Sequence, residues 1–475
     1  MFRTLRTDED FEVQGLSDNS QMIKPGYVFI CKKGSEKDGA DYAAEAVDNG
    51  AAAIVSYRTL DNAEKPVIVA DDLSKMTAEL AKKYYFPGEK TFKLIGVTGT
   101  NGKTTVTHLV RDILIAQGGN VGIIGTNGVF LNDERVGVET NTPTTPNPIE
   151  LWKIFAKMRS MGAAYVIMEV SSHALVQKRV WGCEFDVGIF TNLTRDHLDF
   201  HKTFEEYKRA KALLFPMCKE CVINIDDPTG ARYYSDIKGK KLSVGFHDAD
   251  LEAAVLKSDA DGSEFILEYK GKKVRTNMPL CGRFNVYNML TAVGACISLG
   301  LDFKKAADAL KNVKPVLGRM EKIDTGRDFS VIIDYAHTPD GLEKIIHTAK
   351  GFSKGRVITV FGCGGDRDKT KRPIMGEIAG RYSDYTVITS DNPRCEDPLS
   401  IICDIYEGIK ATKGEYCIVP DRKMAIAHAI SLAKKNDVIL LAGKGQETYQ
   451  IIGHDKFPFD ERKIVTECIL KSFST

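Results

Sequence analysis

With 475 residues, the chain has material for about three domains at roughly 150 residues each and for large buried cores, which excludes a miniprotein or a single module. Its 65 Lys and Arg against 64 Asp and Glu leave a formal charge of +1, so no global field favours a polyanion or an anionic membrane, and nucleic acid is disfavoured as the main partner. At 43% hydrophobic and 27% charged residues, with no apolar run near the roughly 18 residues that a span needs, the composition is that of an ordinary soluble protein without transmembrane helices.

The opening segment, MFRTLRTDEDFEVQG, lacks an apolar signal core, and the 11 cysteines show no pairing rhythm, so a reducing cytoplasm is expected. Cys218 and Cys221 have C-x-x-C spacing, but no second pair or His cluster follows, and the spacing reads as chance. Up to about residue 88, short strands (27–31, 53–55, 66–69) alternate with helices, the last spanning 73–85, before Phe86-Pro87-Gly88 breaks the pattern. A strand at 92–95 then runs into a Gly-rich turn, Gly96 to Gly102. The next helix carries Val106, Leu109, Val110, Ile113 and Leu114 on one face and should end at Gly118-Gly119. Further strands are predicted at 165–170, 186–190 and 222–225. Alternation in Glu264–Tyr269 predicts a small antiparallel insertion between about 242 and 279, and a helical pattern follows over 285–308. From about 315, strands at 330–334, 356–361, 386–389 and 438–441 alternate with helices. Such alternation predicts an α/β fold with mostly parallel sheets covered on both faces.

The strongest single signal is Gly96-Val97-Thr98-Gly99-Thr100-Asn101-Gly102-Lys103-Thr104-Thr105. Glycines let backbone N–H groups approach phosphate oxygens, Lys103 brings a cation to the β/γ-phosphates, and Thr104 offers a hydroxyl to Mg²⁺. The generic phosphate-loop pattern would place Gly at 97, where the chain has Val. The preceding strand and following helix still favour a nucleoside triphosphate over a merely Gly-rich turn.

In the helix predicted over 204–215, Phe204, Tyr207, Lys211 and Leu214 share one stripe, which places Lys211 on the face otherwise given to the core. Taken alone, the stem would be buried and the ammonium would reach water. Upstream, Glu169 and His197 follow predicted strand ends, where ligands bind in doubly wound sheets. A carboxylate, an imidazole and a desolvated lysine beside a phosphate loop would suit Mg²⁺-assisted phosphoryl transfer.

Taken together, Gly99–Thr105, Glu169-Val170-Ser171-Ser172-His173, Thr191-Asn192-Leu193, Asp196-His197-Leu198-Asp199 and Ala210-Lys211 resemble the Mur ligase family, ATP-dependent amide-forming enzymes of peptidoglycan precursor synthesis. The resemblance continues through Gly282–Asn288, Gly318-Arg319-Met320-Glu321, Asp334–Pro339 and Gly362–Asp368, so it covers nearly the whole chain. Asp391-Asn392-Pro393-Arg394 and Gly443-Lys444-Gly445-Gln446-Glu447 are similar to members that add the third residue of the peptide. The resemblance implies three domains: 1–88 for the UDP-substrate, a central P-loop ATPase domain at 89–315, and a dinucleotide-fold-like domain at 316–475 that receives the amino acid. It implies as substrates ATP, UDP-N-acetylmuramoyl-L-alanyl-D-glutamate and meso-diaminopimelate, with a monomer expected.

The same resemblance implies residue roles. Gly99, Thr100, Asn101, Gly102, Lys103, Thr104, Thr105, Asn285 and Asn288 would contact ATP. Ser20, Ser35, Glu36 and Lys37 would hold the UDP end, and Thr144, Thr145, Ser171, Gln177 and Arg179 the muramoyl-dipeptide, although Asn19 and Gln21 replace the charged residues usual around the serine. Lys211 matches a lysine carboxylated by CO₂, whose anionic carbamate would help hold Mg²⁺ with Thr104, Glu169 and His197. An acyl phosphate on the D-glutamyl γ-carboxylate would then be displaced by the incoming amine, with Lys103, Lys211, Glu169 and His197 as the catalytic set.

For the amino acid, Arg394 would grip the distal carboxylate of diaminopimelate, a group that lysine lacks. Arg367 would hold another carboxylate, Gly443 and Glu447 the distal ammonium, and Asp391, Asn392 and Pro393 complete that site. Three alternatives stay open: Arg394 pairing with Glu396 or Asp397 in its own loop, L-lysine or another diamino acid as substrate, and a nucleotide-binding switch that has lost the chemistry.

Overall fold

The computed structural model describes residues 12–34, 37–61, 63–142, 144–259 and 261–471, with the side chain of Lys471 outside the description. Ser35 and Glu36, expected on the UDP side, lie outside the described residues. The chain forms two compact units, one of Met1–Leu94 with Asn120–Phe185 and one of Ile95–Gly119 with Asp186–Thr475.

In the first unit, four parallel strands stand in the order Gly15–Ser17, Tyr27–Ile30, Ala51–Ser56 and Val67–Val69. Parallel pairing puts crossovers on the faces, so the inner strands are apolar along most of their length, with Val28, Phe29, Ile30, Ala53, Ile54 and Val55 buried. The helix Leu73–Tyr85 has the predicted bounds, with Asp72 capping it by accepting from the Lys75 amide. The break at Phe86 has a packing cause: Phe86, Phe92, Trp152 and Phe155 form one aromatic cluster with ring centroids 5.4 to 6.3 Å apart. Val121–Gly125, absent from the sequence expectations, pairs in parallel with Tyr165–Glu169 and antiparallel with Gly128–Leu131. The helix Pro148–Ser160 opens with a capping box between Asn147 and Glu150 and with Pro148 in its first turn.

In the second unit, Lys93–Thr98 pairs in parallel with Phe185–Phe190 from Ile95 onward. Cys218–Asn224 and Lys240–Gly245 extend that sheet in parallel, and the predicted antiparallel insertion is three strands, Leu251–Asp259, Gly262–Tyr269 and Lys272–Met278. All five stripe residues of the helix Lys103–Ile115 are buried. That helix stops at Ile115, not at Gly118-Gly119; Gly118 takes its left-handed φ of 81° in the turn beyond. The single helical run expected over 285–308 is two helices, Arg283–Ser298 and Phe303–Ala309, parted where Gly300 adopts φ 93°.

The C-terminal part of this unit has a six-stranded sheet in the order Glu321–Ile323, Ser330–Asp334, Val438–Ala442, Val357–Phe361, Tyr385–Ile388 and Tyr416–Ile418, parallel except for the first strand. The period of two sorts its side chains: Ile332 and Leu440 pack with one helical layer, and Val331, Ile333, Ile439 and Leu441 with the other. Loops leaving the carboxyl ends of four neighbouring strands carry His337, Arg367, Arg394 and Glu447. Open α/β sheets bind ligands at that edge.

Candidate functional site

The phosphate loop is held open by its glycines. Gly102, at φ 87°, caps the helix Lys103–Ile115, and a Cβ there would lie 2.2 Å from Asn288 Oδ1. A Cβ on Gly99 would lie 1.8 Å from Thr191 Oγ1, so neither position accepts a side chain. Asn192 fixes the loop from below: its carbonyl accepts from the Thr100 amide at 2.9 Å and its Oδ1 from the Asn101 amide at 2.9 Å. Lys103 folds over the turn and donates to the Gly99 and Thr100 carbonyls, both at 2.9 Å. Thr104 and Thr105 are buried. Asn285 and Asn288 are buried and bonded to each other at 3.1 Å, which puts the expected asparagines against the loop.

Lys211 does not reach water. It is 1% exposed, donates to the Gly99 carbonyl at 2.8 Å, and sits 4.5 Å from the Tyr207 ring centroid. Burial first, and then the charge of Lys103, pull its amine well below the ordinary lysine range. The helix is Phe204–Ala212, and only part of the predicted stripe is core: Tyr207, Lys211 and Leu214 are buried, whereas Phe204, in the first turn, is 43% exposed. His197 adopts a left-handed φ of 54°, with Nε2 3.3 Å from Asp196 Oδ2. Burial would raise the Asp196 carboxyl, but the charges of His197, Lys371 and His337 outweigh it and hold it well below the usual carboxylate range.

Two further contacts reach this loop from the C-terminal region, and neither was among the expected site residues. Arg319 donates through Nη2 to Thr104 Oγ1 at 3.0 Å, across 215 residues. Asn101 Nδ2 donates to Asp340 Oδ2 at 2.9 Å. The Asp334 carboxylate accepts from the Met320 and Ala336 amides, both at 2.7 Å, and so fixes the turn that carries Arg319. Gly318-Arg319-Met320-Glu321 was a visible motif, but nothing local in it points to Thr104.

The first unit gathers the residues expected for the muramoyl-peptide. Thr145 Oγ1 donates to the Glu169 carbonyl at 2.9 Å and lies 3.3 Å from Ser171 Oγ, while Arg179 Nη1 donates to the Thr145 carbonyl at 2.9 Å and Nε to Gln177 Oε1 at 2.9 Å. Thr144, at φ 66°, shares a hydroxyl contact of 3.1 Å with Thr126, and Thr126 also donates to Glu169. Glu169 is 1% exposed. Ser20 is buried and donates to Glu45 at 2.7 Å, while Asn19 caps the short helical turn after it. Lys37 lies 6.0 Å from the Tyr42 ring centroid.

The second unit likewise gathers the residues expected for the amino acid. Arg394 has φ 52°, and Nη1 donates to the Gly365 carbonyl at 2.8 Å. Neither loop carboxylate pairs with it: Glu396 is taken by Arg372 at 2.8 Å and Lys369 at 3.1 Å, and Asp397 caps the helix Pro398–Ile409. Burial and then the charge of Arg367 lower the Arg394 guanidinium against the opposing charges of Asp391, Glu447 and Asp366, and among the described residues no carboxylate forms an ion pair with it. Arg367 is exposed and donates to the Asp366 carbonyl. Gly443 has φ 116°, and a Cβ there would lie 2.4 Å from Asp391 Oδ2. The Pro393 carbonyl excludes a Cβ on Gly365 in the same way, at 1.8 Å. Asn392 Nδ2 donates to Glu447 Oε2 at 2.9 Å. Among the described residues, no three His, Cys, Asp or Glu side chains form a metal cage.

The profile of the Mur ligase family, catalytic domain, matches residues 12–85, that of the Mur ligase middle domain residues 97–296, and that of the Mur ligase, glutamate ligase domain, residues 318–445. The chain is 45% identical over 473 residues to UDP-N-acetylmuramoyl-L-alanyl-D-glutamate--2,6-diaminopimelate ligase of Caldanaerobacter subterraneus subsp. tengcongensis, covering 98% of this chain and 97% of the relative. It is 46% identical to the protein named UDP-N-acetylmuramoyl-L-alanyl-D-glutamate--2,6-diaminopimelate ligase 1 of Clostridium acetobutylicum, covering 98% and 96%. A solved structure of a UDP-N-acetylmuramoyl-L-alanyl-D-glutamate--2,6-diaminopimelate ligase superposes with a TM-score of 0.70 at 31% identity and full coverage of both chains. MurF ligase from Thermotoga maritima in complex with ADP, 18% identical with a TM-score of 0.66 and 97% coverage of each chain, shares the fold. On these matches, which take in nearly its whole length, the chain belongs to the Mur ligase family.

Proposed function

We infer that the chain is an ATP-dependent ligase that joins meso-diaminopimelate to the D-glutamyl γ-carboxylate of UDP-N-acetylmuramoyl-L-alanyl-D-glutamate in peptidoglycan synthesis. The observation that carries the choice of amino acid is Arg394, half-buried beside Arg367, hydrogen-bonded to a backbone carbonyl and ion-paired with no carboxylate among the described residues. Two neighbouring guanidiniums repel each other until an anion joins them, and a carboxylate is the group that a guanidinium fork grips bidentately. Lysine offers no distal carboxylate.

In this reading residues 1–88 take the UDP end, 89–315 the ATP and 316–475 the amino acid, with Ser20, Ser35, Glu36 and Lys37 on the UDP side. Thr144, Thr145, Ser171, Gln177 and Arg179 hold the muramoyl-dipeptide. The loop amides of Gly99–Thr105 and the side chains of Lys103, Asn285 and Asn288 receive ATP. The γ-carboxylate oxygen attacks the terminal phosphorus as ADP leaves; the amine nitrogen then attacks the acyl carbon, and phosphate leaves as the amide forms. Lys103 moves from the loop carbonyls to the transferring phosphoryl group, and Arg319 adds a second cation at Thr104.

Thr104, Glu169 and His197, with a carbamate on Lys211, are oxygen and nitrogen donors of the kind that would hold Mg²⁺. It would supply charge neutralisation on the phosphates. The buried neutral amine of Lys211 is the form that adds CO₂, forming an N–C bond and releasing a proton. Gly443 and Glu447 take the distal ammonium, and Arg367, Asp391, Asn392 and Pro393 complete that pocket. All 11 cysteines are free thiols, which supports a reducing cytoplasm, and no described helix is long and apolar enough to cross a membrane. Phosphate release dependent on meso-diaminopimelate and the UDP-dipeptide, compared with L-lysine, tests the assignment. A preference for lysine, or nucleotide binding without turnover, removes it.

A further inference from the structure

Lys444 is among the largest side chains wholly shut from solvent, and it has no role in the chemistry above. Its Nζ lies 2.9 Å from Asn392 Oδ1 and 3.3 Å from Glu447 Oε2. Asn392 Oδ1 also accepts from the Ile451 amide at 2.9 Å, while Asn392 Nδ2 donates to Glu447 Oε2 at 2.9 Å. These contacts determine which way round the carboxamide sits, because a flipped amide would turn its NH₂ against an N–H and an ammonium. Glu447 is thereby engaged twice at Oε2, whereas among the described residues Oε1 meets only the Tyr335 hydroxyl, at a long 3.5 Å. A carboxylate has room for about four donors, so Oε1 retains capacity for a ligand's ammonium.

Burying an ammonium costs several kcal/mol unless it is paired, and an apolar side chain would pack the same space without that cost. The backbone is also committed to this placement. Gly443 and Gly445 flank Lys444 at φ 116° and 52°, and a Cβ on Gly445 would lie 2.6 Å from Tyr335 Cβ. We propose that Lys444 is a positioning residue for the diamino acid: its ammonium locks Asn392 and Glu447 in the arrangement that leaves Glu447 Oε1 turned over to the substrate's distal ammonium. This rests on the reading of the pocket given above. Without the ammonium, Glu447 loses its charged partner and Asn392 one of the two donors that orient its carboxamide oxygen, so amino-acid binding suffers while ATP and the UDP-dipeptide, held by other residues, do not.

The test is the phosphate-release kinetics of the full chain as wild type, Lys444→Met, Glu447→Gln and the double variant. Lys444→Met should raise KM for meso-diaminopimelate about tenfold or more, equivalent to about 1.4 kcal/mol, with KM for ATP and for the UDP-dipeptide within about twofold of wild type. Because Lys444 acts through Glu447, the double variant should be no worse than Glu447→Gln within about twofold. Unchanged KM for diaminopimelate, equal rises in all three KM values, or penalties that multiply in the double variant would each overturn the role. Should Lys444→Met fail to fold, Lys444→Gln, which keeps a donor for Asn392 but no charge, is read the same way. Failure of both to fold assigns the ammonium to the scaffold and also overturns the role. Wild type that shows no diaminopimelate-dependent release defeats the substrate reading itself; active wild type with an indifferent Lys444→Met defeats only the positioning role.

Discussion

The glycine-rich loop at Gly99–Gly102 and the cluster of Asn392 and Glu447 each sit against one fully buried lysine, and the two lysines meet different partners. Lys211 has a backbone carbonyl for its partner, and burial first and then the cation of Lys103 drive its amine well below the ordinary lysine range. Lys444 faces the carboxylate of Glu447 and the carboxamide oxygen of Asn392. On the readings proposed above, the first amine is a reagent for CO₂ and the second a fixed strut. Both are buried, and what differs is the company: Lys103 beside Lys211, Glu447 beside Lys444.

The largest effect should come from the loop beside Lys211. Lys103→Ala should cut turnover by about a thousandfold or more, because the cation proposed for the transferring phosphoryl group is lost, while the thermal melt followed by circular dichroism stays close to wild type. Retained turnover breaks the assignment of this region to phosphate chemistry.

Lys211→Met sharpens the contrast through stability. The folded amine titrates below its unfolded value, so between the two the unfolded chain binds more protons and wild-type stability rises with pH. Methionine removes that cost. In CO₂-depleted buffer near neutral pH, Lys211→Met should therefore melt at or above the wild-type temperature, with the gap closing as pH climbs toward the ordinary lysine range. Its ligase activity should nearly vanish, and in Lys211→Ala millimolar acetate should partly restore it. An alanine variant fully active without bicarbonate contradicts a catalytic carbamate.

The pocket of Lys444 should respond in substrate choice. Arg394→Ala leaves a bound carboxylate without its partner, a loss of about 2–5 kcal/mol in comparable charge pairs, so kcat/KM for meso-diaminopimelate should fall roughly 30-fold or more. L-lysine should lose much less, narrowing the preference. Equal losses for the two amino acids would mean that Arg394 reads the end they share.

The smallest effect belongs to Cys395→Ser, next to Arg394 but exposed. Arg394 is held by the Gly365 and Ile451 carbonyls and by the Gly453 amide, not by the thiol, so kcat/KM should stay within about twofold. A larger change would show that this side chain shapes the pocket.

Much of the fold was legible because its code is local. The helix Leu73–Tyr85 was read to the residue, and the buried stripe of Lys103–Ile115 follows from helical spacing alone. The same spacing misled at Phe204, since a first-turn residue projects beyond the core that its stripe would otherwise face. Strands such as Val121–Gly125, bracketed by glycines, and Glu321–Ile323, short and charged, escaped notice because too few residues carry the period.

The site divides in the same way. Gly99, Gly102, Lys103 and Thr104 announce themselves within one turn of chain, since phosphate recognition by backbone amides needs small residues at fixed positions. Arg319 on Thr104, Asp340 on Asn101, and Lys444 on Asn392 join residues 215, 239 and 52 positions apart. Glycine conformations, caps and apolar periods are properties of neighbours along the chain and so lie open in the amino-acid order. Which charge a buried lysine meets depends on how strands and helices pack, and only the tertiary structure decides it.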